Sequence, residues 1–468
     1  MDSYRRIAAI KIQTAQDRTH AVIEEVNRVE NRVYVSPGSK GILRFARDAA
    51  ARIEGFLEEQ KPIIVSAPLT EAQLETRLNR ITKLLPLLYE LVGFVEGSDV
   101  HRSPGQLIPA LRRYSQSILP ASEIVVSSKP ELTYSIQDIA GPLRKLFRGT
   151  SVEASCAPLP ELLFVVNIPA VESEQILIHA VLAHELGHAL YNRRGLAKGL
   201  LPQIKLDENL VKTMAKTMYE EQSKQGNPTP ELRLRKQVTE EIAVRVNGWV
   251  KELCSDAIGI LLFGPALFFA AAHLLTSFIH MDKSSETHPP PRLRVRLMMR
   301  MLKQFYSVDK WKAELQAFSR DWDDVSASQI PGGNFYDQVA LETISDAVLD
   351  LIAEAGSRAI SVDKRYTTEK FDRDVATLAP FFLNHIPPGE TGPYGRGTAV
   401  ELASVINAGW HVYLCDFETF RKSLHPKDGE TRFTAATKLH ELVLKALEIS
   451  EMKTAWEEAR RDPKRGKN

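Results

Sequence analysis

The run Ala257–Ile279 (AIGILLFGPALFFAAAHLLTSFI) carries no formal charge, so the chain must hide it in a bilayer or in its own interior. Its length permits a membrane span. The Gly264-Pro265 pair argues otherwise, because proline suits the first turn of a new helix better than the middle of an old one. The run therefore predicts two buried helices that meet at Gly264, and no second run of its kind is there to pair with it in a membrane. The opening MDSYRRIAAIKIQTAQDR also lacks the apolar centre of a secretory signal. A cytoplasmic protein is expected, with membrane association through 257–279 as the alternative.

Charge narrows the partners. The 60 basic and 59 acidic residues leave a formal net charge of +1, which gives neither nucleic acid nor an anionic membrane a reason to bind. Three scattered cysteines, Cys156, Cys254 and Cys415, are too few for a disulfide framework or a thiolate zinc cluster. The patterning predicts a predominantly α-helical α+β chain in three regions. Residues 1–118 form a helical region, with periodic runs at Val22–Val33, Ile42–Leu57 and Leu74–Val95 and breaks at Pro62 and Pro68. Residues 119–310 form a core that holds the strand candidates Glu123–Ser127, Leu132–Ile136 and Glu161–Ile168. Residues 311–468 are helical again, interrupted by the Gly/Pro-rich Ile386–Thr398.

The chemistry concentrates in the middle region. Ile176–Leu190 (ILIHAVLAHELGHAL) contains His184-Glu185-Leu186-Gly187-His188. On a helix, residues four apart stand one turn above each other, so both imidazoles can bind one Zn²⁺. Glu185 lies about 100° around from His184, near enough to hold a water on the metal without ligating. Two histidines need a third ligand. Downstream, Glu252 and Asp256 are again one turn apart; Glu252 can ligate while Asp256 hydrogen-bonds the far nitrogen of a ligand histidine. The plainer alternative is a pair of acids at a helix N-terminus. In Thr287-His288-Pro-Pro-Pro-Arg-Leu-Arg294, His288 can donate beside the metal and Arg294 can pair with Asp256, or the segment is a charged surface loop. His179 is expected to be a core histidine, Cys156 and Cys254 packing thiols, and His280 the reserve for His288.

Together, His184-Glu185-x-x-His188, Glu252-x-x-x-Asp256 and Thr287-His288-Pro289-Pro290 with Arg294-Val295 resemble the HtpX-like and CaaX-prenyl-endopeptidase family of gluzincin zinc metallopeptidases. The resemblance covers roughly 120–305. It implies a gluzincin-type core with a small β-sheet and one zinc ion per chain, held by His184, His188 and Glu252. Glu185 becomes the general base, His288 the oxyanion donor, Asp256 the partner behind a ligand histidine and Arg294 the brace of Asp256. It also implies a protein or peptide substrate laid along an edge strand, for which Glu161–Ile168 is the candidate; an ordinary core strand is the alternative. Two departures stand out: Ser255 occupies a position where members often carry alanine, and the family's many membrane spans are missing. A zinc-dependent endopeptidase is the expected function. The alternatives are a zinc-stabilised helical binding module and a membrane-anchored protease.

Overall fold

The computed structural model describes residues 2–66, 71–148, 156, 158–226, 229–277, 284–306, 335–391, 397–424 and 432–461. The chain is mostly helical with a small sheet. It divides into two units, 1–174 and 175–468, so the boundaries expected at 118 and 310 both fall inside a unit. The strands share one apolar core with the N-terminal helices, which is why no border separates them.

In the first unit, α1 (Asp2–Glu30), α2 (Pro37–Ser66) and α3 (Glu71–Gly97) are long amphipathic helices, followed by α4 (Leu107–Ile118). Ile12, Val22, Val26 and Val29 of α1 meet Ile42, Ala46, Ala49 and Ile53 of α2 and Leu84, Leu88, Leu91 and Val95 of α3. These positions recur at the helical three-to-four spacing. Contrary to expectation, α2 continues through Pro62, which near a helix end forfeits a single ladder bond. Pro68 lies outside the described residues.

The sheet comprises β1 (Ser122–Lys129), β2 (Ser135–Asp138) and β3 (Leu162–Pro169), with α5 (Ala140–Phe147) between the last two. Its order is β1-β3-β2, with β1 parallel to β3 (Ile124↔Phe164) and β2 antiparallel to it (Ile136↔Val166). Residues 164–167 are therefore hydrogen-bonded on both sides. This corrects the edge-strand expectation: β3 is the middle strand of the sheet, buried along its whole length and flanked on both sides over residues 164–167. Its apolar run Leu162–Val166 is the signature of a central strand.

The second unit is helical: α6 (Leu182–Arg194), α7 (Leu196–Leu200), α8 (Glu208–Lys224), α9 (Glu231–Phe263), α10 (Pro265–Ser277), α11 (Pro291–Phe305), α12 (Phe335–Thr343), α13 (Asp346–Ala359), α14 (Thr368–Leu383), α15 (Leu402–Cys415), α16 (Phe417–Ser423) and α17 (Arg432–Arg461). A two-residue ladder joins β4 (Glu390–Thr391) to β5 (Thr398–Ala399). α9 is the spine, packed by α6, α8, α10, α11, α12 and α13. Its first half buries only every fourth residue, Leu234, Val238, Ile242 and Val246, whereas every residue from Glu252 to Phe263 is buried.

The apolar run is split as expected. Gly264 has φ +63° and ψ −147°, a conformation closed to side-chain-bearing residues, and α10 starts at Pro265. A buried helix end exposes carbonyls that need donors. Here Asn407 donates to the Phe263 carbonyl at 2.7 Å and accepts from the Ala266 N–H at 3.0 Å. Tyr306 donates to the Ile260 carbonyl at 3.1 Å, and the Tyr366 N–H to Leu261 at 2.8 Å. No helix among the described residues is long and apolar enough to cross a membrane.

Candidate metal centre

The site forms where α6 lies against α9. Both helices present a glycine at the contact. A Cβ on Gly187 would sit 2.6 Å from the Ser255 carbonyl oxygen and 2.8 Å from its Cα; one on Gly259 would meet the His184 nitrogen at 3.0 Å. Those are backbone atoms, which cannot step aside as a side-chain tip can. The glycines therefore let α6 and α9 approach closely enough for imidazoles on one to reach carboxylates on the other. His179 is buried on the short turn Ile178–Val181 that leads into α6, away from the ligand group.

His184, His188 and Glu252 offer ligand atoms that all lie within 4.8 Å of one another. His184 Nε2 is 3.3 Å from Glu252 Oε2, and His188 Nε2 is 3.2 Å from Glu252 Oε1. A tetrahedral zinc site with bonds near ~2.0–2.1 Å has ligand-to-ligand edges of about 3.3 Å, so the donor set fits that ion. The rings meet edge to face, with centroids 4.5 Å apart. His184 turns its other nitrogen, Nδ1, to Asp256 Oδ1 at 2.7 Å. Arg294, from the first turn of α11, clamps Asp256 with two bonds of 2.8 and 2.7 Å. On the His188 side, Ser255 Oγ lies 2.8 Å from Nδ1.

Glu185 is buried and makes no hydrogen bond or ion pair among the described residues, so its carboxylate is uncommitted. His288 sits at the rim with its side chain 60 % exposed and Nε2 3.8 Å from Glu252 Oε2. Its loop is braced: the Trp249 indole donates to the Ser285 carbonyl at 2.9 Å, Thr287 Oγ1 lies 2.8 Å from His288 Nδ1, and Gly248 leaves room for the Thr287 backbone.

The electrostatics fit a cation. Three carboxyl groups, Glu185, Glu252 and Asp256, stand against one guanidinium, Arg294, so the cluster is rich in the acidic groups that a divalent ion would offset. Burial acts to raise Asp256, but Arg294 and His184 overcome it and bring it to about 2. Glu252 is likewise held well below the carboxylate range against burial, by the imidazoles of His184 and His188 beside its oxygens and the charge of Arg294. Burial acts to lower His184, yet the charge of Asp256 lifts it to about 9. His188 is lowered by burial and by its neighbour His184.

The seven residues assigned to the site from the sequence, His184, Glu185, His188, Glu252, Asp256, His288 and Arg294, thus lie together where α6, α9 and α11 meet. Sequence reasoning missed Ser255, Gly187, Gly259 and Trp249; the serine at a position where alanine was expected was the available signal for the first. Burial pushes the Cys156 thiol up to about 11 and raises Cys254, which suits packing thiols. His280 lies outside the described residues. No family model, no curated protein and no solved structure matches this chain.

Proposed function

We propose that this protein is a zinc-dependent endopeptidase. The observation that carries the reading is the convergence of His184, His188 and Glu252 beside a buried carboxylate, Glu185, that makes no hydrogen bond or ion pair among the described residues. A purely structural zinc site has no use for such a group. The three-segment resemblance to the HtpX-like and CaaX-prenyl endopeptidases points the same way.

His184, His188 and Glu252 would hold a zinc ion, which would supply a Lewis acid and an acidified water with a pKa near ~7. Glu185 would take a proton from such a water and later deliver it to the leaving amine; it makes no hydrogen bond or ion pair among the described residues that would hold its oxygens elsewhere. Asp256, locked by Arg294, accepts from His184 Nδ1, which leaves Nε2 as the ligand atom. His288, exposed at the rim, offers Nε2 to the oxyanion. The substrate is a protein or peptide.

Metal analysis and peptide cleavage on wild type and Glu185→Gln in parallel test the reading. Wild type should carry one zinc ion per chain and cleave. Glu185→Gln should keep the zinc and lose cleavage by roughly a hundredfold to ten-thousandfold. Zinc-free wild type, or a variant that still cleaves well, would overturn it.

A further inference from the structure

We infer that Ser255 holds His188 in the tautomer that carries its proton on Nδ1, aims Nε2 at the ligand position, and thereby tightens the grip on the metal; the last clause rests on the zinc reading above. The argument is one of counting protons. A serine hydroxyl has a single hydrogen. That of Ser255 is directed to the Lys251 carbonyl, 2.9 Å away and one helical turn back. Its oxygen therefore meets His188 Nδ1 at 2.8 Å only as an acceptor, and Nδ1 must be the donor. The proton on Nδ1 leaves the Nε2 lone pair to a metal ion; in the metal-free protein Nε2 faces Glu252 Oε1 at 3.2 Å, so Ser255 must outcompete that carboxylate for the proton.

Ser255 has no exposed surface, so water cannot easily stand in for the hydroxyl. Gly187 makes the contact possible, since any side chain there would collide with the Ser255 backbone. The two ligand histidines are thus oriented by different chemistry. His184 faces an anion clamped by a guanidinium, while His188 faces a neutral hydroxyl anchored on a backbone carbonyl. Alanine at this position would leave a buried N–H without a partner and the ring free to turn.

The test uses full-length protein with Ser255→Ala, Ser255→Thr and Ser255→Val. Thr and Val share a shape and differ in the hydroxyl, which separates hydrogen bonding from packing. Zinc affinity is read by competition with a chromophoric chelator. The tautomer is read in metal-free, ¹⁵N-histidine-labelled protein from long-range ¹H–¹⁵N correlations, with the His188 signals assigned by their loss in His188→Gln. Wild type and Ser255→Thr should show the Nδ1–H pattern at His188 and similar affinities. Ser255→Ala and Ser255→Val should lose that pattern and bind zinc about tenfold more weakly. A wild-type His188 protonated on Nε2, or Thr and Val variants that behave alike, would overturn the assignment. Wild type that binds no zinc yet shows a Ser255-dependent Nδ1–H would sink the zinc reading while upholding the tautomer.

Discussion

Asp256 has no exposed surface and Arg294 only 11 %, so each charge is tolerable there because of the other. Removing one partner of such a pair typically costs ~3–5 kcal/mol, far more than the pair contributes over an apolar replacement. Arg294→Ala should lower stability by about that amount in chemical denaturation and weaken zinc binding ~10–100-fold, because His184 loses a fixed acceptor. An Arg294→Ala protein as stable as wild type would show that the clamp carries no weight. His288 should fail differently. It is exposed and touches the ligands only at the rim, so His288→Ala should leave zinc content unchanged and reduce kcat about a hundredfold. If it lost metal instead, His288 would have to be counted among the ligands. At this scale the sequence was informative where spacing along one helix does the work, as with His184 and His188. It marked Ser255 only as a departure from alanine and gave it no role, because its partner is a ring on another helix.

Between elements, the decisive feature is the glycine-lined contact of α6 and α9. A methyl group on Gly187 would press on the Ser255 backbone at 2.6 Å, and overpacking of that kind commonly costs ~1–3 kcal/mol. Gly187→Ala should therefore destabilise the protein and weaken zinc binding together, because the helices must part to admit the methyl. Gly199→Ala is the control: nothing lies within 4 Å of its Cβ position, so thermal denaturation should show no loss. Equal behaviour of the two variants would mean that close approach is not what builds the site. The break at Gly264 belongs here too. Gly-Pro foretold where α9 ends, but the donors that satisfy its buried carbonyls, Asn407, Tyr306 and the Tyr366 N–H, come from segments more than forty residues away and carry no local mark.

For the molecule as a whole, acid sensitivity should trace in part to a histidine outside the site. His440 Nδ1 is sealed from solvent without a hydrogen-bond partner among the described residues, and burial, aided by the charges of His179 and His273, lowers its pKa from the ordinary 6.5 to about 4. The unfolded chain takes up this proton near 6.5 and the folded one only near 4. The stability His440 contributes is therefore whole above pH 6.5 and is lost as the pH falls to about 4. His440→Gln should flatten the fall in Tm across that window relative to wild type; parallel curves would remove His440 as the cause. The division at 174 was not legible in the sequence. Strands invite assignment to the nearest chemistry, yet β1 and β3 bury Val125, Leu163 and Val165 among the N-terminal helices, a choice made by long-range packing.

By itself, the sequence determined what periodicity and local chemistry can carry. It placed two histidines on one face of a helix, a glutamate and an aspartate one turn apart on another, and a glycine-proline break in an apolar run, because each depends on neighbours within a turn or two. Only the tertiary structure decided which nitrogen of each histidine faces inward, which strand is central, and which residues satisfy a buried helix end. Those outcomes depend on atoms brought together from distant parts of the chain, and backbone hydrogen bonding and close packing, rather than local propensity, select among them.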